Sequence, residues 1–314
     1  MKKFAFVFPG QGSQSVGMLD AWGDHPVVVQ TLAEASDALG ENIALLIKDG
    51  PKEALALTTN TQPVMLVAAV AAWRAWLAEG GAKPDAVAGH SLGEYSALVA
   101  SGALTLAQAA PLVRLRASAM QDAVPVGTGG MAAVLGMDAD KVKAICAEVT
   151  AQLGGAEVVE AVNFNDPSQT VIAGSKLAVE KACEAVKAAG AKRALPLPVS
   201  APFHSSLMKP AAEKLKAALA ELTIAVPHIP VINNIDVAVQ TDADAIRDAL
   251  YRQAFGPVRW VETVQAIKAR GMTHLVECGP GKVLMGLTKR IDADLTAGAV
   301  YDPATLADVK ELLA

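Results

Sequence analysis

Ser91 is the centre of a Gly-x-Ser-x-Gly pattern at residues 89–93. A short apolar run, residues 85–88, precedes this pattern, and a helix-like run, residues 94–100, follows it. Strand, tight turn and helix in that order are typical of a nucleophile elbow, in which glycines permit a cramped backbone and the serine hydroxyl stands above the strand end. N–H groups at the start of the helix suit a developing oxyanion. The alternative is an ordinary strand-to-helix turn with Ser91 as N-cap.

A serine nucleophile needs a base within hydrogen-bond reach, and the chain has five histidines. His90 adjoins Ser91 on the turn, where we expect its side chain to diverge. His204 follows a predicted inserted domain and so lies at a junction between two domains, where active-site clefts are common. We therefore favour His204 as the base. No acidic residue lies just upstream of it, so the sequence does not reveal a triad of the α/β-hydrolase order.

Composition sets limits on the class of protein. The 314 residues are 52% hydrophobic and 19% charged, with a mean hydropathy of +0.33, which predicts a well-buried globular core. The net charge of −5 gives no reason to expect nucleic-acid binding. Three widely spaced cysteines form neither a zinc pattern nor a disulfide framework, so we expect a cytoplasmic protein. Apolar runs are too short or interrupted to span a membrane.

The elements around the serine follow an α/β order. A first strand over residues 4–8 leads into a loop containing Gln11, which matches neither a dinucleotide nor a P-loop fingerprint. Gln11 could offer donors near the serine or be a plain loop residue.

A long helix is predicted from an N-cap at Thr61 to about residue 79. A later helix contains Arg114 and Arg116, which lie about 200° apart and so cannot share a face.

Residues 128–197 show the order β-α-β-β-α-β, which is typical of a ferredoxin-like domain. We therefore predict an α/β fold with a hydrolase-like large domain, residues 1–127 and 198–314, built on a parallel sheet. The small domain is inserted into it. Further strands are predicted at residues 229–233 and 273–277.

Seven motifs together resemble malonyl-CoA:acyl carrier protein transacylases. They are the loop at residues 8–14, the elbow extended to Glu94, Arg116, Asn163-x-Asn165 followed by Gln169, Ala-Pro-Phe-His-Ser at residues 201–205, Gln253 with residues 257–260, and residues 277–280. The match covers nearly the whole chain, in order. Because the chain ends where the discrete bacterial fatty-acid enzyme would end, we expect that enzyme rather than a domain of a megasynthase.

The resemblance assigns roles to the reacting groups. In the family the elbow serine, here Ser91, attacks a malonyl thioester. His204 matches the histidine that acts as base in the attack and as acid when the CoA thiolate leaves. The family orients this histidine through a main-chain carbonyl, and the matching position is Gln253. Backbone N–H groups matching Gln11 and Leu92 hold the oxyanion.

The resemblance also implies a substrate pocket. Arg116 matches the arginine that binds the malonyl carboxylate, a role that suits a planar guanidinium fork. Phe203 matches a position that favours malonyl over methylmalonyl groups. Met120, one turn after Arg116, is expected to wall the same pocket, and Asn163 and Asn165 are expected to face the pocket or the thiol arm.

The implied reaction is transfer of malonyl from malonyl-CoA to the phosphopantetheine thiol of acyl carrier protein, for fatty-acid synthesis. It proceeds through a malonyl-serine, without metal or other cofactor. We expect a monomer that binds a CoA thioester and acyl carrier protein, but no nucleic acid or membrane. The alternatives are a trans-acting acyltransferase of a polyketide pathway, a serine thioesterase or hydrolase, and a non-catalytic module that binds carrier proteins.

Overall fold

The strands form two sheets. The computed structural model describes residues 2–199 and 201–314. Its strands are β1 Phe4–Phe8, β2 Ala86–Gly89, β3 Gly129–Leu135, β4 Val159–Asp166, β5 Gln169–Ser175, β6 Arg193–Pro196, β7 Val231–Ile232, β8 His274–Cys278 and β9 Thr296–Val300.

Helices cover the sheets and connect the strands. They are α1 Pro26–Leu39, α2 Ile43–Asp49, α3 Lys52–Ala56, α4 Thr58–Ala78, α5 Gly93–Ala100, α6 Leu106–Gln121, α7 Ala139–Gln152, α8 Lys176–Ala188, α9 Lys209–Ala220, α10 Ala243–Ala254, α11 Trp260–Ala269, α12 Val283–Ile291 and α13 Pro303–Leu313. Among the described residues, no helix has the length and apolar character needed to cross a membrane.

The first sheet is parallel, with strand order β7-β2-β1-β8-β9. Its central strand β1 is buried on both faces, as parallel sheets between helices require. Phe6 faces the larger apolar cluster, where Trp73 and Trp76 of α4 meet its ring edge-to-face at centroid distances of 5.6 and 5.3 Å. Ala5 and Val7 face the opposite cluster, beneath α11 and α12. The predicted α/β fold with a parallel core sheet is confirmed.

The second sheet is antiparallel, with strand order β4-β5-β3-β6. Helices α7 and α8 cover one face and form a separate apolar cluster with it. On the other face Met131, Val162 and Val171 join the main cluster. This order and these two helices confirm the predicted ferredoxin-like unit, while the limits 128–197 stay a prediction.

Strand β4 connects this unit to the rest of the chain. The main chain of Val258 accepts a hydrogen bond from Phe164 N–H at 3.0 Å and donates one to Val162 O at 2.8 Å. Asp166, at the end of the strand, forms an ion pair of 2.7 Å with Arg290 of α12. Its last residues pair with β5 as well, Phe164 with Thr170 and Asp166 with Gln169, so this end of the strand lies between β5 and the segment at Val258.

Helix α4 begins at Thr58, so the predicted start at Thr61 is wrong. The Thr61 hydroxyl does not cap the helix; it donates to the main-chain oxygens of Leu55 and Leu57 at 2.6 and 3.0 Å. Pro63 lies inside the helix rather than in its first turn. A threonine that bonds backward to carbonyls and one that caps a helix look alike in a sequence, since both precede a helical run.

The turn between β2 and α5 is crowded by its neighbours. A Cβ on Gly89 would lie 1.9 Å from the main-chain carbon of Gly93, and a Cβ on Gly93 would lie 2.0 Å from Phe8 O. These distances are far below any real Cβ contact, so each position needs glycine. The turn thus passes so close to the end of β1 that side chains cannot be fitted between them.

We expect Gly89→Ala to lower the free energy of unfolding by about 3 kcal/mol or more, because the backbone itself must move. Gly286→Ala is the matched control, since a Cβ there lies no closer than 3.8 Å to Arg290 Nη1 within helix α12. It should be neutral or add up to about 1 kcal/mol. Urea unfolding followed by circular dichroism measures both; equal stabilities would contradict the close packing of the turn.

Candidate active site

A cavity of about 390 Å³ opens where β1 and β2 end. Ligands commonly bind at the carboxyl ends of parallel strands, because loops from neighbouring strands converge there. Its wall combines loops that follow β1 and β2 of the first sheet with Met131 and Asn163 of the second sheet. Of the residues predicted from the sequence, it contains Gln11, Ser91, Leu92, Arg116, Met120, Asn163, Phe203 and His204.

Ser91 and His204 form a hydrogen-bonded pair in this cavity. Ser91 Oγ lies 2.6 Å from His204 Nε2. Both residues have left-handed backbones, with φ of 53° and 65°, which non-glycine residues seldom adopt outside functional sites. The strain at Ser91 is the expected signature of the elbow, because it turns the hydroxyl out of the strand.

Gln253 fixes the tautomer of His204. His204 Nδ1 lies 2.9 Å from the main-chain oxygen of Gln253. A carbonyl can only accept, so Nδ1 carries the proton and the lone pair of Nε2 faces Ser91. The carbonyl is available because Gln253 lies in the last turn of helix α10, where the last four carbonyls lack the usual intrahelical partner. The same helix end favours a positive imidazolium.

Burial keeps His204 neutral. Burial is the largest effect and the positive charge of Arg116 is the next, and the pKa of this imidazole is lowered to about 3. The ring is therefore in the basic form at neutral pH. It can accept the Ser91 proton without first losing one of its own.

The side chain of Asn234, in the segment after β7, forms hydrogen bonds to the main chain of the elbow. Its Oδ1 accepts from Ser91 N–H at 2.7 Å and its Nδ2 donates to Gly89 O at 2.7 Å. Strand β7 lies beside β2 in parallel register, which brings Asn234 level with the turn. In the described part of the chain the main-chain N–H groups of Gln11 and Leu92, unlike that of Ser91, donate to no protein group. They are available to a ligand oxygen.

Arg116 brings a buried positive charge to the nucleophile. The side chain is 2% exposed. Its Nη1 donates to Gln62 Oε1 at 2.7 Å, and its Nη2 donates to Ser91 Oγ at 3.2 Å and to Gln253 Oε1 at 3.1 Å. Its Nε has no partner among the described residues. All three acceptors are neutral, so the guanidinium can bind an anion in the cavity.

The other arginine of α6 points elsewhere. Arg114 is partly exposed, forms an ion pair with Glu41 and donates to Asn60 Oδ1 at 2.7 Å. The two arginines therefore occupy different faces, as their angular separation predicted.

Glu94 connects several of these residues from beneath the turn. It is 2% exposed, and its Oε2 accepts from Asn234 N–H at 2.9 Å and from Gln253 Nε2 at 3.0 Å. Burial is the largest effect and raises the pKa of Glu94 to about 7, while the hydrogen bonds from Asn234 and Gln253 lower it.

The two asparagines of β4 have different positions. Asn163 lines the cavity, and its buried Oδ1 has no protein partner among the described residues. Asn165 Oδ1 lies 2.8 Å from His90 Nε2, and Asn165 is not part of the cavity wall. Its position therefore does not support the predicted direct contact with substrate. Asn165 holds the His90 ring, which packs against Trp260 with centroids 5.5 Å apart.

Sequence reasoning missed Gln62, Glu94 and Asn234 as parts of the site. Glu94 belongs to the extended elbow motif, but no role was assigned to it, since an acidic residue in a first helical turn is ordinary. Asn234 follows a predicted strand, and a polar residue at a strand end was the available signal. Among the described residues, no group of three or more His, Cys, Asp or Glu side chains could hold a metal ion.

Known proteins are similar to this chain in fold and in sequence. An acyl transferase domain model matches residues 5–294. The chain is 56% identical over 308 residues to the malonyl CoA-acyl carrier protein transacylase of Salmonella typhimurium, covering 98% of each chain. An acyl-carrier-protein S-malonyltransferase structure from Burkholderia pseudomallei has a TM-score of 0.96 and 65% identity, over 98% of this chain and 99% of that one.

Another solved structure shows a malonyl-transacylase in complex with a type II polyketide acyl-carrier protein. It matches with a TM-score of 0.96 and 52% identity, over 99% of this chain and 100% of that one. The chain has the fold of the acyl transferases, and its cavity contains a hydrogen-bonded serine–histidine pair. Within that class the chain belongs to the family of malonyl CoA-acyl carrier protein transacylases.

We expect modification of Ser91 by a fluorophosphonate to proceed at nearly the same rate at pH 5 and pH 7, because His204 stays neutral down to about pH 3. If the imidazole had the ordinary pKa of 6.5, the rate of modification would fall about 20-fold from pH 7 to pH 5, because most of the ring would be protonated. Glu94 also titrates near pH 7, so the profile is measured in the Glu94→Gln variant alongside the wild type. A decrease centred on pH 6.5 in that variant would show that His204 titrates normally.

Proposed function

We propose that this protein transfers the malonyl group of malonyl-CoA to the phosphopantetheine thiol of acyl carrier protein, through an ester on Ser91. The observation that carries this proposal is the buried guanidinium of Arg116, whose Nη2 lies 3.2 Å from Ser91 Oγ and whose hydrogen-bond acceptors among the described residues are all neutral. A buried cation beside a nucleophile selects an acyl group that has an anion near its reacting carbonyl. Malonyl fits, because only one methylene separates its carboxylate from its thioester.

In the first half-reaction, Ser91 Oγ bonds to the thioester carbon while its proton passes to His204 Nε2. The carbonyl oxygen becomes an oxyanion, which we assign to the free N–H groups of Gln11 and Leu92. Collapse of this intermediate breaks the carbon–sulfur bond. The CoA thiolate takes the proton from His204, and malonyl remains as an ester on Ser91.

The second half-reaction reverses these steps with a different thiol. The phosphopantetheine thiol gives its proton to His204, and the thiolate attacks the malonyl ester. Ser91 leaves and recovers the proton, so atoms and charge balance over the cycle. Acyl transfer between a hydroxyl and a thiol changes no oxidation state, so the proposed steps call for no redox cofactor. They call for no metal because His204 takes up the proton and the N–H groups of Gln11 and Leu92 hold the oxyanion.

Arg116 supplies the selectivity in this proposal. The unpartnered Nε and the neighbouring Nη2 form a fork that a carboxylate can occupy bidentately when it replaces the bond from Nη2 to Ser91 Oγ. An acetyl group would leave Nε without a partner in a mostly dry site, which penalises acetyl transfer. Met120 and Phe203 wall the same cavity, and we assign to Phe203 the preference for malonyl over methylmalonyl.

The thiol arm approaches past the second sheet. Asn163 Oδ1, buried and unpartnered among the described residues, can accept an N–H of the pantetheine amide. Asn165 acts there only through His90.

We place the reaction in fatty-acid synthesis in the cytoplasm. The relative with 56% identity carries the transacylase name, and Cys146, Cys183 and Cys278 are all free, as in reducing compartments. One chain contains every group in the mechanism, so a monomer suffices.

The polyketide alternative is supported by the relative bound to a polyketide carrier protein. Comparing holo carrier proteins of the two pathways as acceptors separates these roles.

Intact-protein mass spectrometry tests the covalent step. Mixing the protein with malonyl-CoA should add one malonyl group, located on Ser91 by peptide mapping, and Ser91→Ala should remain unlabelled. Acetyl-CoA should label far less. Holo acyl carrier protein should discharge the ester quickly, while water alone discharges it slowly. Rapid release of free malonate without an acceptor would instead indicate a hydrolase.

Arg116→Ala should lower the rate of malonyl transfer by about 100-fold, since truncating one partner of a buried charge pair typically costs a few kcal/mol. The ratio of malonyl to acetyl transfer should fall with it. Arg114→Ala is the matched control on the same helix, because its partners Glu41 and Asn60 lie outside the cavity. Unchanged selectivity in Arg116→Ala would remove this residue from carboxylate binding.

A further inference from the structure

Glu94 is a buried carboxylate that the proposed mechanism does not use. It lies in the first turn of α5, three residues after Ser91, and is not part of the cavity wall. An acidic residue in a first turn ordinarily interacts with N–H groups of its own helix. The hydrogen bonds of Glu94 Oε2 run instead to two other segments, at Asn234 and Gln253. This position calls for an explanation beyond helix capping.

The first connection leads to the backbone of the nucleophile. Glu94 Oε2 accepts from Asn234 N–H at 2.9 Å. The side chain of Asn234 then bonds to both sides of the turn, at Ser91 N–H and Gly89 O, each at 2.7 Å. Holding the main chain of Asn234 therefore holds the turn in its left-handed conformation.

The second connection leads to the base and to the arginine. Gln253 Nε2 donates to Glu94 Oε2 and to Ser91 O, each at 3.0 Å. The amide oxygen is thereby turned toward Arg116 Nη2, at 3.1 Å. A flipped amide would place its NH₂ group against the guanidinium. The main-chain oxygen of the same residue accepts from His204 Nδ1.

We infer that Glu94 is a positioning residue for acyl transfer: one carboxylate oxygen sets the relative positions of Ser91, His204 and Arg116 through Asn234 and Gln253. This inference rests on the proposed function. The position requires a hydrogen-bond acceptor on a side chain as long as glutamate, because the N–H groups of Asn234 and Gln253 converge on one oxygen. The negative charge is secondary. Burial raises the pKa of Glu94 to about 7, so a large fraction of this carboxyl group is protonated at neutral pH.

Three substitutions separate reach from charge. Glu94→Gln keeps the acceptor and the length but removes the charge. Glu94→Asp keeps the charge and shortens the side chain by one methylene. Glu94→Leu removes the acceptor. The matched control is Glu277→Gln: Glu277 is a buried carboxylate at the end of β8, its pKa is also raised to about 7 by burial, and its Oε2 accepts from Met285 N–H at 2.8 Å.

Rapid-quench acylation by malonyl-CoA, quantified as malonyl-enzyme by mass spectrometry, gives a rate constant and a half-saturating concentration for each folded variant. We expect Glu94→Gln to stay within about threefold of the wild type and Glu94→Asp and Glu94→Leu to lose about 10- to 100-fold. The loss should fall on the rate constant, with the half-saturating concentration changed by less than threefold. Glu277→Gln should lower the thermal midpoint but not the rate constant.

A rate constant for Glu94→Asp equal to or above that of Glu94→Gln would overturn the inference, because charge would then matter more than reach. This comparison stands even where Glu94→Leu does not fold. A wild type that forms no ester on Ser91 would instead refute the proposed function. An ester that forms at the same rate in all folded Glu94 variants would refute only the positioning role.

Discussion

The close crossing of the Gly89–Gly93 turn over the end of β1 is the constraint on which the rest of the site depends. Because no Cβ fits at either glycine, the chain must reverse sharply, and Ser91 adopts a left-handed backbone. That conformation is strained, so something must hold it. The side chain of Asn234 bonds to both sides of the turn, and Glu94 holds Asn234 in place. The position of the Ser91 hydroxyl in the cavity is thus the result of packing and hydrogen bonds beneath the turn.

Burial gives the polar groups of the site their chemical properties. It lowers the pKa of His204 and so keeps the ring basic, and it leaves the guanidinium of Arg116 among neutral acceptors. A cation in such surroundings is costly unless an anion arrives, which makes the carboxylate of a substrate part of the site's charge balance. Glu94 lies one amide away from Arg116, across Gln253, so it moderates this charge without occupying the fork.

Much of the fold could be predicted from local patterns. The strand β1, the elbow and the β-α-β-β-α-β order of the second sheet all follow from apolar periodicity and glycine placement. Helix α4 was predicted with its N-cap at Thr61, four residues after the observed N-cap Leu57, since the backward bonds of Thr61 to carbonyls leave no mark in the sequence. Strand β9 and helix α13 were not predicted. Ala and Gly make β9 look unlike a strand, and only pairing with β8 makes it one.

The sequence by itself determined the sharp turn at Ser91, because Gly-x-Ser-x-Gly between an apolar run and a helix encodes its own turn. It also determined that Arg114 and Arg116 occupy different faces, since helical periodicity is local. Only the tertiary structure decided which arginine is buried, that Asn165 contacts His90, and that Gln62, Glu94 and Asn234 belong to the site. These facts depend on contacts between segments more than fifty residues apart in the chain, in one case about 140. Such contacts are set by how the sheets and helices pack and not by the spacing of residues in the sequence.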